Sequence, residues 1–114
     1  MNVIDDVAQP AREDLDLPTV LAALADPARL ATVRTLAAAR EESCARLLEE
    51  SRLDCSKSTM SHHLRVLRQA GLTRTRVEGT RRYVSLRRED LQARFPGLLE
   101  VVLAEPAHNP VAGR

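Results

Sequence analysis

Fourteen residues free of glycine and proline, Lys57 to Ala70, stand between a serine and a glycine, and no other stretch limits the fold as tightly. Ser56 is a residue type that caps helix N-termini, and Gly71 falls where a left-handed residue closes a helix. The bracket predicts a helix of about four turns. At about 100° per residue, Met60, Leu64 and Leu67 share a narrow arc with His63 and Ala70 at its edge, which makes this the core-facing side. The opposite side carries Ser58, Ser61, His62, Arg65 and Gln69, flanked by Lys57, Thr59 and Arg68. Short hydroxyls let a helix backbone come close to a surface, and longer donors beside them suit phosphates and base edges in a major groove.

After Gly71 come two short segments, Leu72 to Val77 and Arg81 to Leu86, separated by Glu78-Gly79-Thr80. This pattern predicts a hairpin with glycine at its turn. Arg74, Arg76, Arg81 and Arg82 are expected around the tip, opposed only by Glu78. A solvated hairpin ordinarily mixes signs, so the excess favours a wing that touches phosphates. Helix plus basic hairpin predicts a winged helix. The polarity extends further: Arg52 to Arg88 holds ten basic and two acidic residues, leaving +8, whereas the remainder holds seven and fourteen, leaving −7. A formal net charge of +1 therefore conceals a cationic face suited to a polyanion. Arginine also dominates over lysine outside the basic segment, so genome composition explains that bias better than a need for bidentate contacts.

SKSTMSHHLRVLRQAGLTRTRVEGTRRYVSL, Ser56 to Leu86, resembles the recognition helix and wing of the ArsR-type (ArsR/SmtB) bacterial transcription regulators. Ser56, Ser58, Ser61, His62, His63, Leu64, Leu67, Ala70, Gly71, Leu72, Gly79, Tyr83 and Leu86 carry the match. LADPARLATVRTLA, Leu24 to Ala37, is a second family-like phrase upstream. The resemblance implies a mainly α fold with a small β-hairpin wing, a winged helix-turn-helix of about five helices. It also implies a homodimeric regulator of promoter DNA, a repressor by the family default with activation as the alternative, in a family that often responds to a metal ion.

The 114 residues predict one domain, and with 2% aromatics and no tryptophan its core must be built from Leu, Val and Ala, which suits helix packing. Residues 1–14 are expected to be a mobile arm, 15–104 the domain, and 105–114 a frayed tail. Leu17, Val20, Leu21 and Leu24 keep helical spacing after Asp16 and Pro18. Asp26-Pro27 opens a second helix that buries Leu30, Val33, Leu36 and Ala37. Ser43 caps a third, Cys44 to Glu50, and Ser51 to Cys55 is the turn of a helix-turn-helix, with Leu53 as its plug. Glu89 and Asp90 mark a later helix start, interrupted at Phe95-Pro96-Gly97. Leu98 to Ala104 is apolar nearly all round, so it should be buried, most simply against a second copy. With the family's pairing of first and last helices, this makes Val20, Leu21, Leu24, Leu98, Leu99, Val102 and Leu103 the expected dimer interface. No apolar run is long enough for a signal peptide or membrane span, so the expected location is the cytoplasm.

Chemistry other than recognition finds little support. Relatives that place C-x-C before the recognition helix use it to hold metal; here Glu42 and Cys44 occupy the two positions, so the pair is broken, and Cys44 reads better as a small buried residue beside Leu47 and Leu48 than as a ligand. Cys55, at the N-terminus of the recognition helix, could be a reactive thiol. The D-x-H and H-x-x-E pairs of other relatives are missing, since Gln92 follows Asp90, although His108 near Glu100 and Glu105 could serve nickel or zinc. His62 and His63 point about 100° apart on a helix and do not readily share one ion. No paired carboxylates, Ser/His/Asp grouping or glycine-rich phosphate loop suggests an enzyme. The competing expectation is a winged protein-interaction module, or a co-regulator that needs a partner protein.

Overall fold

The computed structural model describes residues 8–50 and 56–104. After a 3-10 turn at Arg12–Asp14, helix α1 spans Leu17–Leu24 and α2 spans Pro27–Ala37. A two-residue strand β1, Glu42–Ser43, leads into α3, Cys44–Glu50, and α4 spans Lys57–Ala70. Strands β2, Thr73–Glu78, and β3, Arg81–Leu86, precede α5, Arg88–Arg94, and α6, Leu98–Leu103.

Local chemistry sets these bounds. Asp16 accepts a hydrogen bond from the Thr19 amide at 3.1 Å and so opens α1. Asp26 accepts from the Ala28 and Arg29 amides at 2.8 and 3.2 Å, with Pro27 supplying a first position that needs no donor. Ser43 Oγ accepts from the Arg46 amide at 3.1 Å at the head of α3. At α4, Ser56 Oγ accepts from the Thr59 amide at 3.1 Å. The far end closes through Gly71 at φ +89°, whose amide donates to Arg68 while the next amide, Leu72, donates to Leu67.

The core is aliphatic, as the composition requires. Val20, Val33, Leu36, Leu67, Leu72, Val84 and Leu91 are essentially inaccessible. Met60, His63, Leu67 and Ala70 form the buried side of α4, with Leu64 half-buried. His63 is tied to α2, since its Nδ1 lies 3.2 Å from Arg29 Nη1.

Three expectations need correcting. The wing is not an isolated hairpin: β1 joins it, so the antiparallel sheet runs β1-β3-β2, with Ser43 opposite Tyr83 and Glu42 opposite Val84. A two-residue strand has too little pattern to be legible in sequence. The expected arm, of which residues 1–7 lie outside the described part, is not free from Gln9 onward. Gln9 hydrogen-bonds to Thr75, Arg12 to Asp90, and Leu15 is buried in the core. Finally, Val20, Leu24 and Leu99 of the expected dimer interface are spent on the protomer's own core. Among the described residues the large apolar side chains left exposed are Leu17, Leu21 and Val101, while Leu98, Val102 and Leu103 are only partly buried. Spacing identifies an apolar stripe but cannot apportion it between intramolecular and intermolecular packing.

Candidate nucleic-acid interface

Once α4 has placed Met60, Leu67 and Ala70 inward, helical geometry leaves the other side no choice. Lys57, Ser58, Thr59, Ser61, His62, Arg65 and Gln69 are all exposed, as the spacing predicts. The hydroxyls at the entrance are held, since Ser56 Oγ lies 3.1 Å from Ser58 Oγ and 3.0 Å from Thr59 Oγ1. His62 and His63 have ring centroids 5.9 Å apart and tilted by 47°, one ring exposed and the other buried. Arg68, expected on the flank, is half-buried.

The wing's arginines do not act as one cluster. Glu78 faces Arg81 across the turn, where Gly79 takes φ +65°, and Arg81 is exposed at the tip. Arg74 lies at the other end of the ladder opposite Ser85, and its guanidinium reaches Asp90 at 3.3 Å. Arg76 is engaged as well. It donates twice to Glu41, at 3.0 and 2.9 Å, and once to Glu78 at 2.9 Å, while its guanidinium lies 4.7 Å from the centre of the Tyr83 ring. Those bonds hold the Arg76 charge more firmly than usual, and the hydrogen bond from Arg76 keeps the Glu41 carboxyl below its ordinary range. Glu41 is 35 residues away in sequence, so only the fold brings it to the wing. Arg74 and Arg76 are thus used on the protein's own carboxylates.

Arg82 takes the opposite side of the strand. With Arg65, Arg68, Ser61 and Leu64 of α4, and with Cys44, Thr75 and Val84, it lines a groove of about 260 Å³ between recognition helix and wing. Three arginines thereby line the junction of the two expected DNA-reading elements. Cys44 is half-buried in its wall, and burial pushes the thiol pKa up against the opposing pull of Arg82 and Arg68. That describes an inert packing thiol better than a nucleophile.

Among the described residues no three His, Cys, Asp or Glu side chains come together as a group that could hold a metal ion. Cys55 and His108 lie outside the described residues. Sequence reasoning also passed over Gln9, Arg12 and Glu41, whose partners lie 66, 78 and 35 residues away and leave no local signature.

Comparison with known proteins agrees with this geometry. A helix-turn-helix domain family model matches residues 24–76. An uncharacterized HTH-type transcriptional regulator of Bacillus subtilis (strain 168), YceK, is 42% identical over 84 residues, 73% of this chain and 82% of that protein. The biofilm growth-associated repressor of Agrobacterium fabrum (strain C58) is 36% identical over 108 residues, 93% of this chain and 89% of that protein. Among solved structures, an ArsR-like transcriptional regulator from Rhodococcus sp. RHA1 superposes with a TM-score of 0.60 at 26% identity, covering 75% of this chain and 77% of its own. The solution structure of a homodimeric winged helix-turn-helix DNA-binding domain from Mycobacterium bovis, a possible ArsR-family regulator, gives 0.61 at 32% identity, covering 75% of this chain and 76% of its own.

Proposed function

Because the chain belongs to the ArsR-type family of winged helix-turn-helix transcriptional regulators, we propose that it binds promoter DNA sequence-specifically as a homodimer and represses by occupying the promoter. The observation that carries this reading is the uncovered polar side of α4, where Ser58, Ser61, His62 and Arg65 stand exposed opposite a buried apolar side. The first turns of such a helix enter the major groove, so base readout concentrates on these four. Arg81 at the wing tip and Lys57 at the entrance of α4 supply phosphate contacts, which give affinity without sequence preference.

Repression is carried over from the Agrobacterium relative's name, and the dimer from the Mycobacterium bovis neighbour. The exposed Leu17 and Leu21 of α1 and Val101 of α6 are apolar surface that a second copy would cover. A two-fold dimer requires half-sites separated by about one helical turn of DNA, roughly 34 Å, or a multiple of it. A promoter-binding role places the protein in the cytoplasm; among the described residues no helix is long and apolar enough to cross a membrane.

The test is an electrophoretic shift with palindromic DNA from the protein's own promoter, repeated over a salt series. Binding that weakens steeply with salt supports the reading. Absence of a shift at every salt concentration favours the interaction module, which has no use for an exposed Arg65.

A further inference from the structure

In the sheet β1-β3-β2, strand β2 is at an edge, and an unpaired edge leaves amide and carbonyl groups without partners. At Thr75, midway along the wing, a side chain fills that role. The Thr75 amide donates to Gln9 Oε1 at 2.9 Å, and Gln9 Nε2 donates to the Thr75 carbonyl at 3.3 Å. One carboxamide thus makes both bonds that a neighbouring strand would make.

The rest of the segment is fastened to residues that precede and follow the wing. Arg87 donates to the Pro10 carbonyl at 2.7 Å. Arg12 donates to Asp90 at 2.7 Å, and the same carboxylate accepts from Arg74 of β2 at 3.3 Å and from Arg87 at 2.8 Å. Leu15 lies buried over Gly71, the residue that joins α4 to β2, and Arg94 donates to the Leu15 carbonyl at 2.7 Å. Gln9 to Leu15 therefore grips the wing edge, the wing base, the end of the recognition helix and α5.

We propose that this segment is a strap that sets the position of the wing relative to the recognition helix for DNA binding, with Gln9 and Arg12 as its positioning residues. The inference rests on the DNA-binding reading above. A two-stranded ribbon is marginal alone, and one short strand, β1, supports the β3 side; the strap supports the other. Loosening it lets the tip carrying Arg81 wander from the phosphate it meets, while α4 keeps its own caps and its choice of bases.

The experiment compares wild type, Gln9→Ala, Arg12→Ala and Gln9→Glu by amide hydrogen exchange without DNA, and by affinity, salt slope and binding-site selection with promoter DNA. Gln9→Ala is expected to expose the Thr75 amide to exchange and to weaken DNA binding about tenfold, the loss of about one net hydrogen bond's worth of wing order. The salt slope should fall, with the selected base sequence and dimer unchanged. Arg12→Ala should weaken DNA binding in the same direction. Gln9→Glu keeps the acceptor for the Thr75 amide and loses the donor to its carbonyl, so it should fall between wild type and Gln9→Ala. Unchanged DNA affinity in Gln9→Ala and Arg12→Ala would overturn the proposal, as would weakening that appears only together with a lost dimer. The DNA-free measurement separates the two failures. A wild type that binds no DNA sinks the functional reading, whereas a Thr75 amide that exchanges freely in the wild type sinks the strap.

Discussion

Arg87 is only 4% exposed, and a guanidinium at that depth is tolerated because Asp90 meets it at 2.8 Å. Asp90→Asn would leave that charge buried without its counterion and replace one of the two oxygens that accept from Arg12, Arg74 and Arg87 with an NH2 donor. A loss of about 3 kcal/mol is expected in denaturant unfolding, the usual scale for breaking a buried pair from one side. The same carboxyl makes stability depend on pH. The hydrogen bond from Arg12, opposed by burial and reinforced by Arg87, holds its pKa below the ordinary 3.8. The folded state thus binds the proton more weakly than the unfolded chain. The contribution is present in full above the unfolded pKa and is lost as pH falls below 3.8 through the depressed value. An acid titration of Tm should show this loss in the wild type and a flatter profile in Asp90→Asn. On the DNA side, Arg65 is exposed on α4 and can meet a guanine bidentately. Arg65→Ala should cost about 1–3 kcal/mol of binding and relax preference at one base pair per half-site, read by binding-site selection.

Elements differ in how much a glycine matters to them. Gly71 and Gly79 both have positive φ, so an alanine at either faces a backbone penalty of about 1–2 kcal/mol. At Gly79 a Cβ would meet open space, whereas at Gly71 it would run into Leu15 Cδ2 with Pro10 Cγ at 3.3 Å. Gly71→Ala should therefore be the more destabilising of the two in thermal unfolding, because it also displaces the segment packed over the end of α4. Within the wing, Arg81→Ala should reduce the slope of log K against log salt by about one unit and weaken specific and nonspecific DNA alike. Arg74→Ala should leave that slope nearly unchanged and lower Tm, since its partner is Asp90. The reverse pattern would mean that Arg74 leaves Asp90 when DNA arrives.

For the whole molecule, the decisive question is which apolar surface meets a second copy. Leu99 lies in the core, so Leu99→Asp would unfold the protomer and say nothing about association. Val101 is 74% exposed on α6 and Leu21 is 46% exposed on α1. Val101→Asp or Leu21→Asp should therefore leave a folded chain that light scattering finds monomeric and that no longer shifts promoter DNA. A wild type already monomeric at micromolar concentration would remove the basis for the dimer.

What was legible in the sequence was local. The caps at Asp16, Asp26, Ser43 and Ser56, the closing glycine at position 71 and the two sides of α4 follow from bonds and spacings within a few residues, which every chain carrying them must satisfy. So does the hairpin around Gly79. Charge partners were not legible. Arg74, Arg76 and Arg81 look alike along the chain, yet Asp90 and Glu41 take up the first two and leave the tip to the third, because folding brings carboxylates 16 and 35 residues away to the wing. The same holds for Gln9, a polar residue in a stretch without periodicity that becomes the edge partner of Thr75 across 66 residues. Helix caps and periodic faces are short-range and repeat in every context, whereas ion pairs and edge contacts depend on which distant segments packing brings together, and that was decided by the tertiary structure alone.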